Sequence, residues 1–280
     1  MNYYLTLAAF GLLAGCAIPL LRTGSGAAVV PLVYCSLVAL HPPGSAAHRL
    51  AMHIAVATSC CVLAVTAAAA CRRQLRLCRL NWRNAWPMSG YAAAGALCGA
   101  LSALSCSPFR LRLLYVLYLS ALITDCALRF DRLARRSRAH AILAPALPRR
   151  WPAPLNALVL LAAGSLAAGA GVGGGAITVP LMQRQGHAPG QAAAMASMLA
   201  ASAGAAASLM YLGAAWRQGQ AAGLGSWYAG YIDLSAVAVL SAAGLLGMRL
   251  AAPFDGALSE RLRVGAYMGL LLLVLFKMTT

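Results

Sequence analysis

Two glycine-rich segments set inside apolar sequence are the residues of this chain best suited to hold a ligand. The stronger segment runs Gly171-Val172-Gly173-Gly174-Gly175-Ala176-Ile177-Thr178-Val179-Pro180-Leu181. A weaker copy, Thr23-Gly24-Ser25-Gly26-Ala27-Ala28-Val29-Val30-Pro31-Leu32, begins 149 positions before Val172 and is identical at six of ten aligned positions. Glycine and proline at this density break an apolar helix. Inside a membrane, the N–H groups freed at the start of the following half-helix attract an anion. The alternative is that the glycines only let helices pack closely.

Polar side chains extend this predicted anion site. Thr58 and Ser59 have a partial counterpart at Ser197, and hydroxyls in a cavity wall donate hydrogen bonds to an oxyanion, although on an internal helix they often bond back to the backbone. Arg22, directly before the weaker segment, either faces the anion or ends a span at the membrane interface. The predicted substrate-binding residues are Gly173, Gly174, Gly175, Thr178, Gly24, Ser25, Gly26, Thr58, Ser59, Ser197 and Arg22.

The two segments are not equivalent. Three consecutive glycines present several N–H groups together, whereas Ser25 adds a Cβ to the weaker copy. We therefore expect Gly173–Gly175 to matter more than Gly24–Gly26. Alanine at Gly174 is expected to abolish transport by occupying ligand space.

Few ionisable side chains lie in the apolar runs. Asp233 stands near the start of one run and is the first candidate for a coupling carboxylate, and His53 is the second, with a packed polar residue as its alternative role. Asp125 pairs with Arg129 four residues later. A membrane-embedded enzyme needs a nucleophile beside a base, or a metal cluster, and these groups lie in three different spans. We expect no catalytic residue, no metal site and no cofactor.

Composition assigns the chain to the membrane. Hydrophobic residues make up 61% and charged residues 10%, with a mean hydropathy of +0.75. Soluble domains average about 45–50% hydrophobic residues and about 25% charged residues. The net charge of +17 suggests nucleic acid in a soluble chain, but here the arginines concentrate between apolar runs, in residues 72–83 and 129–150. That distribution is the positive-inside pattern of cytoplasmic loops and excludes nucleic acid as a partner.

The apolar runs predict an all-α, polytopic membrane helix bundle. Residues 3–40 as one helix would be roughly 57 Å long, nearly twice the hydrocarbon core, so the helix must break at the weaker glycine segment. We predict about eight transmembrane helices in two related four-helix halves with Gly-Pro broken segments. The halves are a first repeat over residues 1–128 and a second over 151–280, joined by a basic cytoplasmic linker at 129–150.

The relative orientation of the two halves depends on whether the glycine segments cross the membrane or turn back within it. If each half has four crossings, the repeats are parallel and both termini are cytoplasmic. If the glycine segments turn back as re-entrant hairpins, the repeats are inverted. The few charges of the second half are compatible with both.

The motifs together resemble the TauE/SafE family of membrane permeases, the sulfite exporter family. The resemblance lies in the glycine run with its Val-Pro-Leu, in Met52-His53-Ile54-Ala55-Val56-Ala57-Thr58-Ser59, in Gly230-Tyr231-Ile232 and in Lys277-Met278, and covers essentially the whole chain. It implies a multi-pass protein of the bacterial inner membrane that moves small sulfur-containing anions such as sulfite or sulfonates, generally outward. Ala57 replaces the glycine that is usual in the family at that position.

The function expected from these residues is secondary transport, with export as the expected direction, of a small sulfur-containing oxyanion such as sulfite or an organosulfonate. A membrane-embedded enzyme, a scaffold, or an anion channel of the same topology is the alternative. As partners we expect a small anionic substrate and the lipid bilayer, with a homodimer as an open option. The exact substrate and the energy coupling do not follow from the sequence.

Overall fold

The computed structural model describes residues 2–21, 26–42, 44–76, 82–138, 153–218, 227–254 and 259–279. Nearly all of them are helical. The helices are α1 (Asn2–Leu21), α2 (Gly26–Leu40), α3 (Ala46–Arg49), α4 (Ala51–Arg76), α5 (Trp82–Ser105), α6 (Pro108–Arg138), α7 (Ala153–Ala170), α8 (Gly175–Arg184), α9 (Pro189–Gln218), α10 (Leu234–Ala251) and α11 (Glu260–Thr279). A two-residue hairpin, β1 (Tyr228–Ala229) with β2 (Ile232–Asp233), precedes α10, and a 3₁₀ turn, Ala252–Phe254, follows it.

Helix length and composition confirm the predicted fold class. Five helices, α4, α5, α6, α9 and α10, contain stretches long and apolar enough to cross a membrane, and shorter apolar helices lie at Tyr4–Leu20, Val29–Leu40 and Leu155–Ala170. Large apolar side chains on the outer faces of these helices are exposed, as expected for surfaces that contact lipid. The chain is an all-α, polytopic membrane bundle. Its division into two four-helix repeats stays a prediction.

Helices α4 and α9 form the centre of the bundle and run antiparallel. They approach closely at Gly204, where a Cβ would lie 3.0 Å from the carbonyl oxygen of Cys60. Most of α4 is buried, including its first ten residues from Ala51 to Cys60. We call the end of the bundle where α4 finishes at Arg76 the arginine end, and the end where α4 begins the opposite end.

The glycine segment at 171–174 makes α7 and α8 a re-entrant hairpin. The amide of Gln185, just after α8, donates a 2.8 Å hydrogen bond to the side chain of Asn156 in the first turn of α7. The end of α8 therefore lies beside the start of α7, at the end of the bundle from which α7 entered. Helix α7 has 18 residues and α8 has 10, so the hairpin consists of a longer entering helix and a shorter returning helix.

Helices α1 and α2 form the corresponding hairpin from the opposite end. Helix α1 runs parallel to α10, because Gly11 contacts Leu240 while the thiol of Cys16, further along, contacts the carbonyl of Gly247 at 3.4 Å. Helix α10 begins beside Thr58 near the start of α4, and α2 ends a few residues before α4. Both α1 and α2 therefore have their outer ends at the opposite end of the bundle.

Backbone contacts at glycine fix each hairpin onto the other half of the chain. In α1, a Cβ at Gly15 would overlap the carbonyl of Gly244 in α10. In α7, a Cβ at Gly164 would overlap the carbonyl of Ala92 in α5, and one at Gly95 of α5 would overlap that of Leu161. Small residues of this kind let membrane helices approach to backbone contact, which strengthens van der Waals packing where the hydrophobic effect contributes little.

The observed directions match the re-entrant alternative. The hairpin of the first half enters from one end, the hairpin of the second half from the other, and α4 runs opposite to α9. Helix α11 runs back along α6, with the Arg112 guanidinium donating to the carbonyl of Met278. Helix α1 thus begins, and α11 ends, at the opposite end, whereas four crossings per half would place both at the arginine end; which end is cytoplasmic stays a prediction. Helix α6 continues to Arg138, so residues 129–138 of the predicted linker are helical, and residues 139–150 lie outside the described parts.

Candidate functional site

A cavity of about 520 Å³ opens at the arginine end between α1, α4, α8, α9 and α10. Its inner wall is formed by the glycine segment and by small residues of α9. Its outer part is lined by basic side chains. The described lining residues that carry polar groups or glycine backbone are Thr66, Arg72, Arg73, Gln74, Arg76, Gly173, Gly175, Gly190, Ser197 and Arg249. None of the described lining residues carries a carboxylate, so the cavity is electropositive.

The glycine segment reaches the cavity through two left-handed residues. Gly171 has a φ of 66° and Gly173 a φ of 68°, conformations that residues with a Cβ rarely adopt. At Gly173 a Cβ would also lie 2.6 Å from the side chain of Leu63. Glycine is thus favoured at both positions by backbone conformation, and at Gly173 a Cβ would in addition require the Leu63 side chain to shift. The reversal places the backbone of Gly173 and Gly175 in the cavity wall at the start of α8.

Gly174 has a different environment. Its φ is −63°, and a Cβ built there would lie 3.6 Å from the side chain of Thr178 and 3.7 Å from that of Ala167, which are ordinary contact distances. The structure thus directs a side chain at position 174 into protein contacts, and Gly174 does not line the cavity. The expectation that alanine at this position would occupy ligand space is therefore wrong in its geometry.

The hydroxyl residues of this half divide between the cavity wall and the helix interior. Ser197 lines the cavity, and its hydroxyl bonds back to the carbonyl of Ala193 at 2.8 Å. Thr178 is buried, and its hydroxyl donates to the carbonyl of Gly174 at 2.9 Å, which holds the first turn of α8. A hydroxyl can rotate from such a bond toward a bound oxyanion only where it borders the cavity, which favours Ser197.

Thr58 and Ser59 hold the two halves of the chain together. The Ser59 hydroxyl donates to the carbonyl of Gly171 at 2.7 Å, and the Thr58 hydroxyl accepts the backbone N–H of Asp233 at 3.1 Å. Both side chains are buried and lie outside the cavity. In this conformation they position the glycine turn and the hairpin before α10, and a substrate role for them stays a prediction.

The two coupling candidates lie toward the opposite end. Asp233 caps α10, because its carboxylate accepts the N–H of Ala236 at 3.0 Å and the hydroxyl of Ser235 at 2.6 Å. His53 bonds through Nε2 to the carbonyl of Cys106 at 3.2 Å, and its ring centroid lies 6.0 Å from that of Tyr231. Both are buried, and neither lines the cavity. Among the predicted residues of the weaker segment, Gly26 begins α2, whereas Arg22, Gly24 and Ser25 lie outside the described residues.

Four arginines of the cavity were not among the predicted site residues. Arg72, Arg73 and Arg76 belong to the group that the sequence assigned to a cytoplasmic loop, and Arg249 lies in the last turn of α10. Arg73 also donates to the carbonyl of Ala252 at 3.2 Å, which joins the ends of α4 and α10. Arginines at a helix end are accounted for by the positive-inside rule even without a ligand. The sequence therefore carries no signal that separates a role in topology from a role in anion binding.

Comparison with known families decides where this arrangement belongs. The model of the family described as sulfite exporter TauE/SafE matches residues 7–278. The chain belongs to the TauE/SafE family. No curated protein and no solved structure matches it. As a TauE/SafE member the chain is a multi-pass membrane protein of a transporter family.

Proposed function

We propose that this protein is a secondary transporter that exports a small sulfur-containing oxyanion, such as sulfite or an organosulfonate, from bacterial cells. The observation that carries the proposal is the cavity of about 520 Å³ with four arginines in its outer part and glycine backbone in its inner wall. Family membership supports the same class of substrate. The volume suits a small anion with part of its hydration shell.

The cavity geometry suggests how the anion is taken up. Arginine presents a planar array of donors that matches oxyanions, and the field of several arginines in a cleft raises the local anion concentration. The hydroxyl of Ser197 offers a further donor at the inner wall, and the start of α8 places the positive end of its helix dipole there; the N–H of Gly175 is already bonded to the carbonyl of Gly173. By the positive-inside rule the arginine end faces the cytoplasm, which is the side from which an exported anion must enter. The protein would then lie in the inner membrane.

The energy source is the substrate gradient or a proton gradient. An inside-negative membrane potential favours exit of an anion by about 2.3 kcal/mol per charge for each 100 mV. No residue of the cavity is required to form a covalent intermediate, so the proposal includes no enzymatic step.

The test is transport by purified protein in lipid vesicles. Sulfite, taurine, isethionate, sulfate and thiosulfate are loaded separately, and their exit is followed with and without an imposed potential. Faster exit of sulfite or a sulfonate than from protein-free vesicles loaded with the same compound supports the proposal. Rates that saturate with concentration distinguish a carrier from a channel. Correctly folded protein that moves none of these anions would overturn it.

A further inference from the structure

The cavity at the arginine end has a counterpart in the other half of the chain. The spacing of 149 positions between the glycine segments also relates Gly15 to Gly164 and Gly95 to Gly244. In the structure Gly15 contacts Gly244, and Gly164 and Gly95 contact each other's helices in the same way. The alignment of the two halves therefore has a physical counterpart in their contacts. It predicts which residues would form a cavity like the observed one at the opposite end.

These counterpart residues form a closed layer in the present structure. Aligning Ser59 with Ser197 pairs the residues of α4 with those of α9. The spacing of 149 positions found for the glycine segments pairs the residues of α5 with those of α10. The nine counterparts named in this paragraph are at most 3% exposed. Cavity residues such as Thr66 and Ala196 are also largely buried, but they border the open volume of about 520 Å³. The closed layer comprises Ala55, Thr58, Ser59, Val62, Ala96, Ala100, Ala103, Ala207 and Tyr211.

The closed layer differs from the open cavity in charge. Under the same alignment the cavity arginines Arg72, Arg73, Arg76 and Arg249 correspond to Met210, Tyr211, Ala214 and Ala100. No counterpart of these arginines is cationic. The polar groups of the layer are hydroxyls, those of Thr58, Ser59 and Tyr211. Next to it, in the same α4 helix toward the opposite end, buried His53 has an Nδ1 atom without a hydrogen-bond partner in the described residues.

We infer that the closed layer is the exit cavity of the transport cycle: it opens to the opposite end when the arginine end closes, and it offers the anion hydroxyl donors without cationic side chains. This inference rests on the proposed function for its substrate. The layer consists mainly of alanine with a few hydroxyls, so its helices can separate without exposing large apolar side chains. An anion attracted by four arginines on entry then meets a neutral cavity on the exit side, which favours its release.

The experiment measures from which side engineered cysteines react. The nine native cysteines are replaced, and Ala55→Cys and Ala207→Cys are introduced singly in the closed layer. Ala193→Cys is the matched control, because it lines the open cavity at the position corresponding to Ala55. Ala163→Cys is a buried control outside both regions. A membrane-impermeant thiol reagent is applied to either face of oriented vesicles, in the presence and absence of sulfite.

The expected result is that the two layer variants react from the opposite side only, that Ala193→Cys reacts from the arginine side, and that Ala163→Cys does not react. If Ala193→Cys reacts and sulfite is transported, yet both layer variants stay unreactive or react from the arginine side, the inference is wrong. Two layer variants are used so that misfolding of one does not decide the result. If the labelling pattern appears but no anion is transported, the exit cavity stands and the proposed substrate fails.

Discussion

The two ends of the bundle share one backbone plan and differ in their side chains. At the arginine end, α8 and α9 border an open cavity with four arginines. At the opposite end, the corresponding residues of α4, α5 and α9 are closed against one another and include no arginine. The difference teaches that a similar backbone arrangement can enclose an open, cationic cavity at one end and a closed, neutral layer at the other, depending on the side chains.

The largest effect is expected at the glycine contacts that the two halves have in common. Gly15→Leu and Gly164→Leu each force a side chain into a facing backbone carbonyl, and backbone, unlike a side chain, cannot move aside locally. Both variants should lose most folded protein, measured as the monodisperse fraction after extraction in detergent. Gly213→Ala is the control, because a Cβ there meets nothing within 4 Å, and it should leave stability unchanged or raise it by up to about 1 kcal/mol. A folded Gly164→Leu protein beside an unfolded Gly15→Leu protein would contradict the equivalence of the two contacts.

The next effect concerns the turn that distinguishes the second half. Gly173→Ala places a Cβ at a φ of 68° and against Leu63, so it should lower stability by about 1–3 kcal/mol and abolish transport. Gly174→Ala, in the same turn, should leave stability and transport unchanged, because the φ of Gly174 is ordinary and a Cβ there has room. Thermal unfolding and vesicle transport are measured on both variants. Loss of transport in a stable Gly174→Ala protein would return Gly174 to the ligand site that the sequence predicted.

A smaller effect is expected from the charge difference between the ends. Arg76→Gln combined with Arg249→Gln removes two exposed charges from the cavity, and two such charges contribute about 1 kcal/mol or more to anion attraction in water. The KM for sulfite entering from the arginine end should rise about tenfold, and less so at high salt because screening already weakens the field. Lysine at both positions should restore most of the affinity. Arg110 is an exposed arginine at the opposite end, and Arg110→Gln should leave this KM unchanged. An equal rise of the KM in the Arg110→Gln variant would refute a local role for the cavity charges.

The smallest effect compares two aligned serines. Ser59→Ala removes a buried hydrogen bond to Gly171 and should lower the free energy of unfolding by about 1 kcal/mol. Ser197→Ala removes a bond within one helix and should leave stability nearly unchanged while raising the KM for the anion, because its hydroxyl borders the cavity. Chemical unfolding and vesicle transport separate the two outcomes. Equal stability loss in both variants would show that the serines have the same structural role.

The sequence predicted the membrane bundle, its helix breaks and part of the cavity wall. Gly173 and Gly175 were predicted from the glycine density in apolar sequence, and Ser197 as the partial counterpart of the Thr58-Ser59 element; all three line the cavity, and their binding role stays a prediction. The arginines of the cavity could not be found, because the same residues satisfy the topology rule without a ligand. The pairing of Thr58 with Asp233 could not be found either, since it joins positions far apart in the chain whose contact depends on the packing of α4 against the hairpin.

The crossed docking of the hairpins has a consequence for biosynthesis. Among the described residues, Gly11 and Gly15 of α1 have their nearest contacts on α10, so α1 is synthesised long before the helix that covers its backbone. Until then α1 exposes its glycine face to lipid or to the insertion machinery, and neither half can complete its packing alone. Two separately expressed halves should consequently be degraded singly and recover a stable product only when they are made in the same cell.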